Sequence, residues 1–93
     1  MKIAYPVILT PVEGMYAVTV PDLNIYTQGK DITEAILMAQ DAINMWICFE
    51  QDEGRFIPKP GKLADLEIKP GEIKTLVNIE VGDFIPAFPV INN

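Results

Sequence analysis

The stretch VTVPDLNIYTQGKDITEA, residues 18–35, decides the fold, because it passes from an alternating apolar run through a turn into a capped helix start. Asp31 is a favourable N-cap residue, and Glu34 stands three positions later, at the reciprocal position of a capping box. We therefore predict that one strand ends near Pro21, that a short strand IYTQG ends at Gly29, and that a helix begins directly after Asp31.

The predicted helix continues through ITEAILMAQDAINMWICFEQDE, which contains no Pro or Gly, and Gly54 is placed to end it. At about 100° per residue, one side of this helix is apolar and suited to cover a sheet. That side comprises Ile32, Ala35, Ile36, Ala39, Ala42, Ile43, Trp46 and Ile47. Beside it, Met38, Met45 and Phe49 widen the apolar arc, either as extra cover for a small core or as a surface that binds another chain.

Two apolar segments upstream, KIAYPVILT and MYAVTV, are typical of strands and are close enough in sequence to form an antiparallel hairpin. Gly14 in the intervening turn is free to adopt a positive φ. Pro6 lacks a backbone donor, so we expect it near a strand end or beside an unpaired edge.

Downstream of the helix, residues 53–72 form a long connection rich in Pro and Gly, within which KLADLEI is expected to pack as a turn or short strand. Residues 73–81 alternate as a last strand with a polar side toward solvent. The order β-β-β-α-β predicts an α+β fold, in which a three-stranded antiparallel meander crosses through one helix to a fourth strand. If the fourth strand lies beside and parallel to the first, the crossover is right-handed.

The final segment, residues 82–93, is too apolar for a free end. We expect it to fold back onto the body or to lie in a groove of another subunit or partner. The length of 93 residues predicts a single domain, residues 1–93.

The formal net charge of −6 bounds the choice of partner. Nucleic-acid affinity requires clustered Lys and Arg, so we expect no direct nucleic-acid binding, whereas a basic protein partner suits the acidic surface.

The chain has no histidine and one cysteine. Because imidazole or several thiolates are required for Ser-His-Asp and Cys-His catalysis and for nearly all zinc sites, we predict no catalytic residue, metal or cofactor. Cys48 has no partner for an intramolecular disulfide, and no apolar run approaches the roughly 20 residues of a membrane span. These features favour a cytoplasmic protein.

Several short segments follow one another in a specific order and spacing over about the first 60 residues. They are YPV in the first strand, EGMYAVTVPDL through the hairpin, TQG before the capped helix, EAILMAQDAINMWI within it and GRFIPKP after it. Together they resemble the HicB family of antitoxins. The resemblance implies a partial ribonuclease-H-like domain without nuclease activity, which binds a small HicA-type toxin and blocks its cleavage of messenger RNA by covering its surface.

The sequence departs from that family in two places. Where the family usually reads Pro-Asp-Leu-Pro-Gly, Leu23 is followed here by Asn24-Ile25-Tyr26, so we expect a shorter or differently built turn. Many members carry a C-terminal DNA-binding module, but no basic helix or strand follows Val81, so none is predicted and operator binding is not carried over.

Our hypothesis is a toxin-neutralising protein that assembles as a dimer or larger homo-oligomer. The candidate contacts with toxin or with a second copy are Asp22, Tyr26, Met38, Met45, Phe49, Phe84, Ile85, Phe88 and Ile91. Asp22 also has a structural interpretation, in which its carboxylate bonds the following backbone of the turn.

Two alternatives remain beside this hypothesis. A nuclease needs convergent carboxylates around two metal ions about 4 Å apart, but the first strand has no acid and nothing makes Asp22, Asp41 and Glu80 converge. We therefore predict no enzymatic activity. The second alternative is a self-assembling binding or scaffold domain without a cognate toxin, favoured by the apolar tail and by the edges of an open sheet.

Overall fold

A computed structural model describes residues 2–80 of the chain. Its strands and long helix follow one another in the order β-β-β-α-β, which confirms the predicted α+β fold. The elements are β1 Lys2–Val12, β2 Met15–Val20, β3 Ile25–Gly29, α1 Ile32–Asp52 and β4 Ile73–Glu80, with short 3-10 turns at Pro21–Leu23 and Leu63–Asp65. Val81 and the apolar tail lie outside the described residues.

The four strands form one sheet in the order β3-β2-β1-β4, with every neighbouring pair antiparallel. Positive φ angles at Glu13 (48°) and Gly14 (81°) turn β1 into β2, as a tight hairpin requires. β1 has paired neighbours on both sides only at Ile8 and Leu9. Pro6 precedes this stretch and pairs with β4 alone, so its missing N–H is tolerated beside an unpaired side of the strand.

β4 lies beside β1, but the parallel orientation considered from the sequence is wrong. β1 and β3 run in the same direction, since each is antiparallel to β2, and α1 starts at the end of the sheet where β3 stops. Residues 53–72 bring the chain back to that end, where Ile73 pairs with Leu9. The chain therefore enters β4 running opposite to β1, and the handedness rule for parallel crossovers does not apply.

Both ends of α1 follow the local signals in the sequence. Asp31 Oδ1 accepts a hydrogen bond from the Glu34 N–H at 2.7 Å. The Glu34 carboxylate accepts one from the N–H of the residue before Asp31, one position earlier than a capping box expects. At the other end Gly54 adopts φ 75°, and the N–H groups of Gly54 and Arg55 donate to carbonyls one turn back, which is the Schellman arrangement.

The helix packs closely on one face of the sheet because small residues meet there. A Cβ on Gly29 would lie 2.4 Å from the Ala35 backbone nitrogen, so only glycine admits this approach. Half of the predicted helix face is fully buried in the core: Ala35, Ala39, Ile43 and Ile47. Ile36 and Trp46 are partly buried against it, whereas Ile32 in the first turn is exposed.

The connection after α1 first runs along the helix-covered face. Ile57 is buried in the core, and the buried Tyr5 hydroxyl donates to the Pro58 carbonyl at 2.6 Å. Burial raises the pKa of Tyr5, and the nearby Asp22 carboxylate raises it further, so the phenol stays protonated and available as a donor.

The connection then passes to the second face of the sheet. Thr10 is an odd number of residues from Tyr5 and therefore points to the opposite face. On that face the Thr10 hydroxyl donates to Glu72 Oε2 at 2.7 Å. Lys74 Nζ, which lies on the same face, donates to the carbonyls of Leu63 and Leu66 at 3.1 and 3.0 Å. The predicted local turn within KLADLEI is thus the segment that crosses this face.

Candidate partner-binding surface

Large apolar side chains lie on the outer side of α1, away from the sheet. Met38, Met45 and Phe49 are 39%, 72% and 56% exposed. They are separated by seven and four positions and therefore lie within about 40° of one another around the helix. We call these three residues the apolar row. Among the described residues, the exposure of Met45 and Phe49 contradicts the interpretation that they complete a small core, whereas Met38 is more covered than exposed.

Acidic side chains run beside the apolar row. Glu34 and Asp41 each precede a member of the row by four positions, and Asp52 follows Phe49 by three, so each acid is a helix neighbour of an apolar residue. We call Glu34, Asp41 and Asp52 the acidic row. α1 contains four acidic residues in all and no Lys or Arg. Sequence reasoning missed this row, although the absence of basic residues from residues 32–52 is visible in the sequence.

Phe49 is held by neighbours at the end of the helix. The Arg55 guanidinium forms a two-pronged contact with the Glu50 carboxylate, at 2.8 Å from Nε and 3.3 Å from the terminal nitrogen. The hydrogen bond to Glu50 raises the pKa of Arg55. The Arg55 Cζ atom lies 5.5 Å from the centroid of the Phe49 ring, a cation–π distance. Phe56 follows Arg55 directly and is 64% exposed, and the sequence interpretation did not include it among the candidates.

Asp22 has a structural contact in the fold. Its Oδ2 accepts a hydrogen bond from the Gly61 N–H at 2.8 Å, which fixes the connection to the turn after β2. The turn itself is closed by the Asn24 N–H, which donates to the Pro21 carbonyl, with Asn24 at φ 58°. The sequence interpretation expected the Asp22 carboxylate to bond the backbone directly after it. In the structure it bonds a backbone group 39 positions away.

Tyr26 lies on the second face of the sheet. It pairs with Thr19, which in turn pairs with Ile8, and directly opposed residues share a face. Its side chain is 71% exposed, and its hydroxyl approaches Asn24 Oδ1 at 3.3 Å. Both the sheet and the helix α1 therefore lie between Tyr26 and the apolar row. The remaining candidates, Phe84, Ile85, Phe88 and Ile91, lie outside the described residues.

The acids considered for a nuclease lie on separate surfaces. Asp22 is in the turn after β2, Asp41 is on the outer side of α1, and Glu80 ends β4 on the second face of the sheet. Across residues 2–80 no group of three or more His, Cys, Asp or Glu side chains is arranged to hold a metal ion.

The part of the chain that the structure describes, residues 2–80, contains the long helix α1 and two short 3-10 turns. No helix there combines the length and the hydropathy needed to cross a bilayer.

These features define a small α+β domain in which one acidic helix exposes a row of large apolar side chains. The family profile described as HicB_like antitoxin of bacterial toxin-antitoxin system matches residues 5–92. The chain belongs to this family, which confirms the resemblance found in the sequence. A comparison with curated protein sequences gave no match.

Solved structures with the same fold include a protein of a toxin–antitoxin complex from Streptococcus pneumoniae, at a TM-score of 0.79 and 18% identity over 92% of this chain and 77% of that one. The antitoxin HicB of Burkholderia pseudomallei matches at a TM-score of 0.77 and 24% identity, over 89% of this chain and 66% of that one. The N-terminal domain of the Burkholderia pseudomallei HicB matches at a TM-score of 0.74 and 25% identity, over 85% of this chain and the whole of that domain. The chain thus spans about two-thirds of the length of that HicB protein.

Proposed function

We propose that this chain is an antitoxin that binds a small, basic HicA-type toxin and neutralises it by covering the surface that cleaves messenger RNA. Family membership across residues 5–92 is the observation that carries the proposal. The shared fold with a protein of a toxin–antitoxin complex supports it. The net charge of −6 favours a basic partner, because opposite charges steer two proteins together.

On this proposal the chain acts without catalysis, metal or cofactor, as a partial ribonuclease-H-like domain spanning residues 1–93 in the cytoplasm. The contact of Asp22 with Gly61 and the separate positions of Asp41 and Glu80 support a non-enzymatic role, since two-metal nucleases need convergent carboxylates. The partner is a protein and not a nucleic acid or a membrane. The tail would add contacts through Phe84, Ile85, Phe88 and Ile91.

A second candidate function is self-assembly as a homo-oligomer, with or without a cognate toxin. The exposed Tyr26 on the second face of the sheet favours it, as does the position of β3 at the edge of the sheet, where a further strand can pair. Self-assembly is compatible with toxin binding. The observation that distinguishes the two functions is whether the chain binds a basic protein other than itself.

The test is co-expression of this chain with HicA-type toxins under separate promoters. We expect growth to be restored, messenger RNA to stay intact, and a stable complex to elute in size-exclusion chromatography with light scattering. Failure to neutralise any of these toxins, together with an oligomer of this chain alone, would reject the antitoxin function and leave the scaffold function.

A further inference from the structure

The outer side of α1 contains large apolar side chains that the packing of residues 2–80 leaves exposed. The helix buries Ala35, Ala39 and two isoleucines against the sheet, while Met45 and Phe49 face solvent. Exposing such side chains gives no folding free energy, since the apolar stabilisation comes from area removed from water. A contact with another molecule is the arrangement in which their apolar area is used.

Phe49 is preorganised for such a contact. The Arg55 guanidinium is fixed by Glu50 and lies over the Phe49 ring, so the ring has less conformational freedom to lose on binding. Aromatic and arginine side chains at the centre of an interface contribute most of its binding free energy. Phe56 extends the apolar area past the helix end.

The acidic row decides what kind of molecule fits here. Two copies of α1 facing each other would bring the three residues of the acidic row from each helix into one interface, and the neighbouring Arg55 is already paired with Glu50. Like charges in juxtaposition cost several kcal/mol, so a second copy of this chain is a poor occupant. A partner with an apolar groove bordered by Lys and Arg complements both rows.

We propose that the outer side of α1 from Glu34 onward, together with Phe56 just past the helix end, is the surface that binds the basic toxin, whereas copies of this chain meet elsewhere. This assignment rests on the proposed function. Phe49 and Met45 insert as apolar anchors into the toxin, and the acidic row pairs with basic side chains at the rim. Tyr26, on the second face of the sheet, lies outside this interface.

The anchors are tested by measuring the Kd for a catalytically inactive variant of a HicA-type toxin that the wild-type chain neutralises. We expect Phe49→Ala to weaken binding about 30-fold or more, and the double variant with Met45→Ala to weaken it further. The matched control is Leu76→Ala, a 46% exposed apolar residue on the second face of the sheet, which should change Kd by less than about threefold. Circular dichroism checks that each variant is folded.

The acidic row is tested by the association rate. We expect the double variant Asp41→Lys with Asp52→Lys to slow association about tenfold at low salt, and the difference to shrink as salt is added. The double variant Asp65→Lys with Glu67→Lys changes the net charge by the same amount on the connection. It should slow association less, because its charges lie away from the proposed interface.

The outcomes separate the surface from the function. Normal toxin binding by folded Phe49→Ala and Asp41→Lys/Asp52→Lys variants overturns the assignment to α1 and leaves the antitoxin function standing. Loss of self-association in the Phe49→Ala variant, with toxin binding unchanged, also overturns it and assigns α1 to contacts between copies. If the wild-type chain neutralises no toxin, the function and the assignment are both rejected.

Discussion

The two faces of the sheet are covered by different kinds of interaction. The first face packs against α1 through fully buried apolar side chains, among them Ile43, and through the close approach of the helix to Gly29. The second face is crossed by the connection, which is held by Lys74, Thr10 and Glu72 through hydrogen bonds near solvent.

Because of this difference, we expect the helix-covered face to contribute more of the free energy of unfolding than the second face. A buried isoleucine contributes several times the net free energy of one hydrogen bond, which is about 1 kcal/mol. We therefore expect substitutions on the helix-covered face to lower the stability of the whole domain, and those on the second face to act weakly or locally.

The largest effect is expected at the centre of the helix-covered face. Ile43→Ala removes a fully buried side chain and leaves a cavity, so the free energy of unfolding should fall by about 3 kcal/mol. Leu76→Ala, on the second face and 46% exposed, should cost about 1 kcal/mol or less. Urea unfolding followed by circular dichroism measures both. Equal losses would show that the two faces contribute alike.

The next effect tests the close approach of the helix to the sheet. Gly29→Ala places a Cβ against the Ala35 backbone, so the helix start must move, at about 2 to 3 kcal/mol. The control is Gly71→Ala, where φ is 88° but nothing lies within 4 Å of the added Cβ, and only the backbone strain of about 1 kcal/mol applies. A Gly29→Ala variant as stable as the wild type in thermal unfolding would contradict the packing described for this face.

The smallest effect is expected on the second face and depends on pH. Hydrogen bonds from the Lys69 N–H and then from Thr10 lower the pKa of Glu72 in the folded chain. A lowered folded-state pKa contributes stability above the unfolded pKa, and this contribution is lost as pH falls through the folded value. Glu72→Gln should therefore melt below the wild type at pH 7, and the two melting temperatures should converge once the pH has fallen below the lowered pKa of Glu72 in the folded chain.

The control for this comparison is Glu67→Gln on the same connection, which removes a charge without removing the bond to Thr10. A gap between Glu72→Gln and the wild type that stays constant with pH would reject the role of the ionised carboxylate.

The parts of the fold that local chemistry determines were predictable from the sequence. The cap at Asp31, the stop at Gly54 and the alternation of the strands depend on neighbours within a few residues, and they predicted the order of elements and the extent of α1. The direction of β4 and the contact of Asp22 with Gly61 depend on how the connection returns along the body, and no local pattern encodes that.

The candidate surface was only partly predictable from the sequence, because it too depends on contacts between distant residues. Helix periodicity placed Met38, Met45 and Phe49 on one flank, but the choice between core and surface depended on how closely α1 approaches the sheet. That distance is set by Gly29 and Ala35, which meet only in the folded chain. The position of Arg55 over Phe49 follows from the turn at the helix end and was likewise not visible from periodicity.

The strand order also has a consequence for folding during synthesis. β1 is made first but lies inside the sheet, and its partner β4 is made last among the described elements, so that Lys2 pairs with Glu80. Pairing of segments so far apart in sequence is slow compared with helix and hairpin formation. Until β4 arrives, one edge of β1 is open to strands of other chains. Closure of the sheet, and not formation of α1, is therefore the step for which a nascent chain must wait.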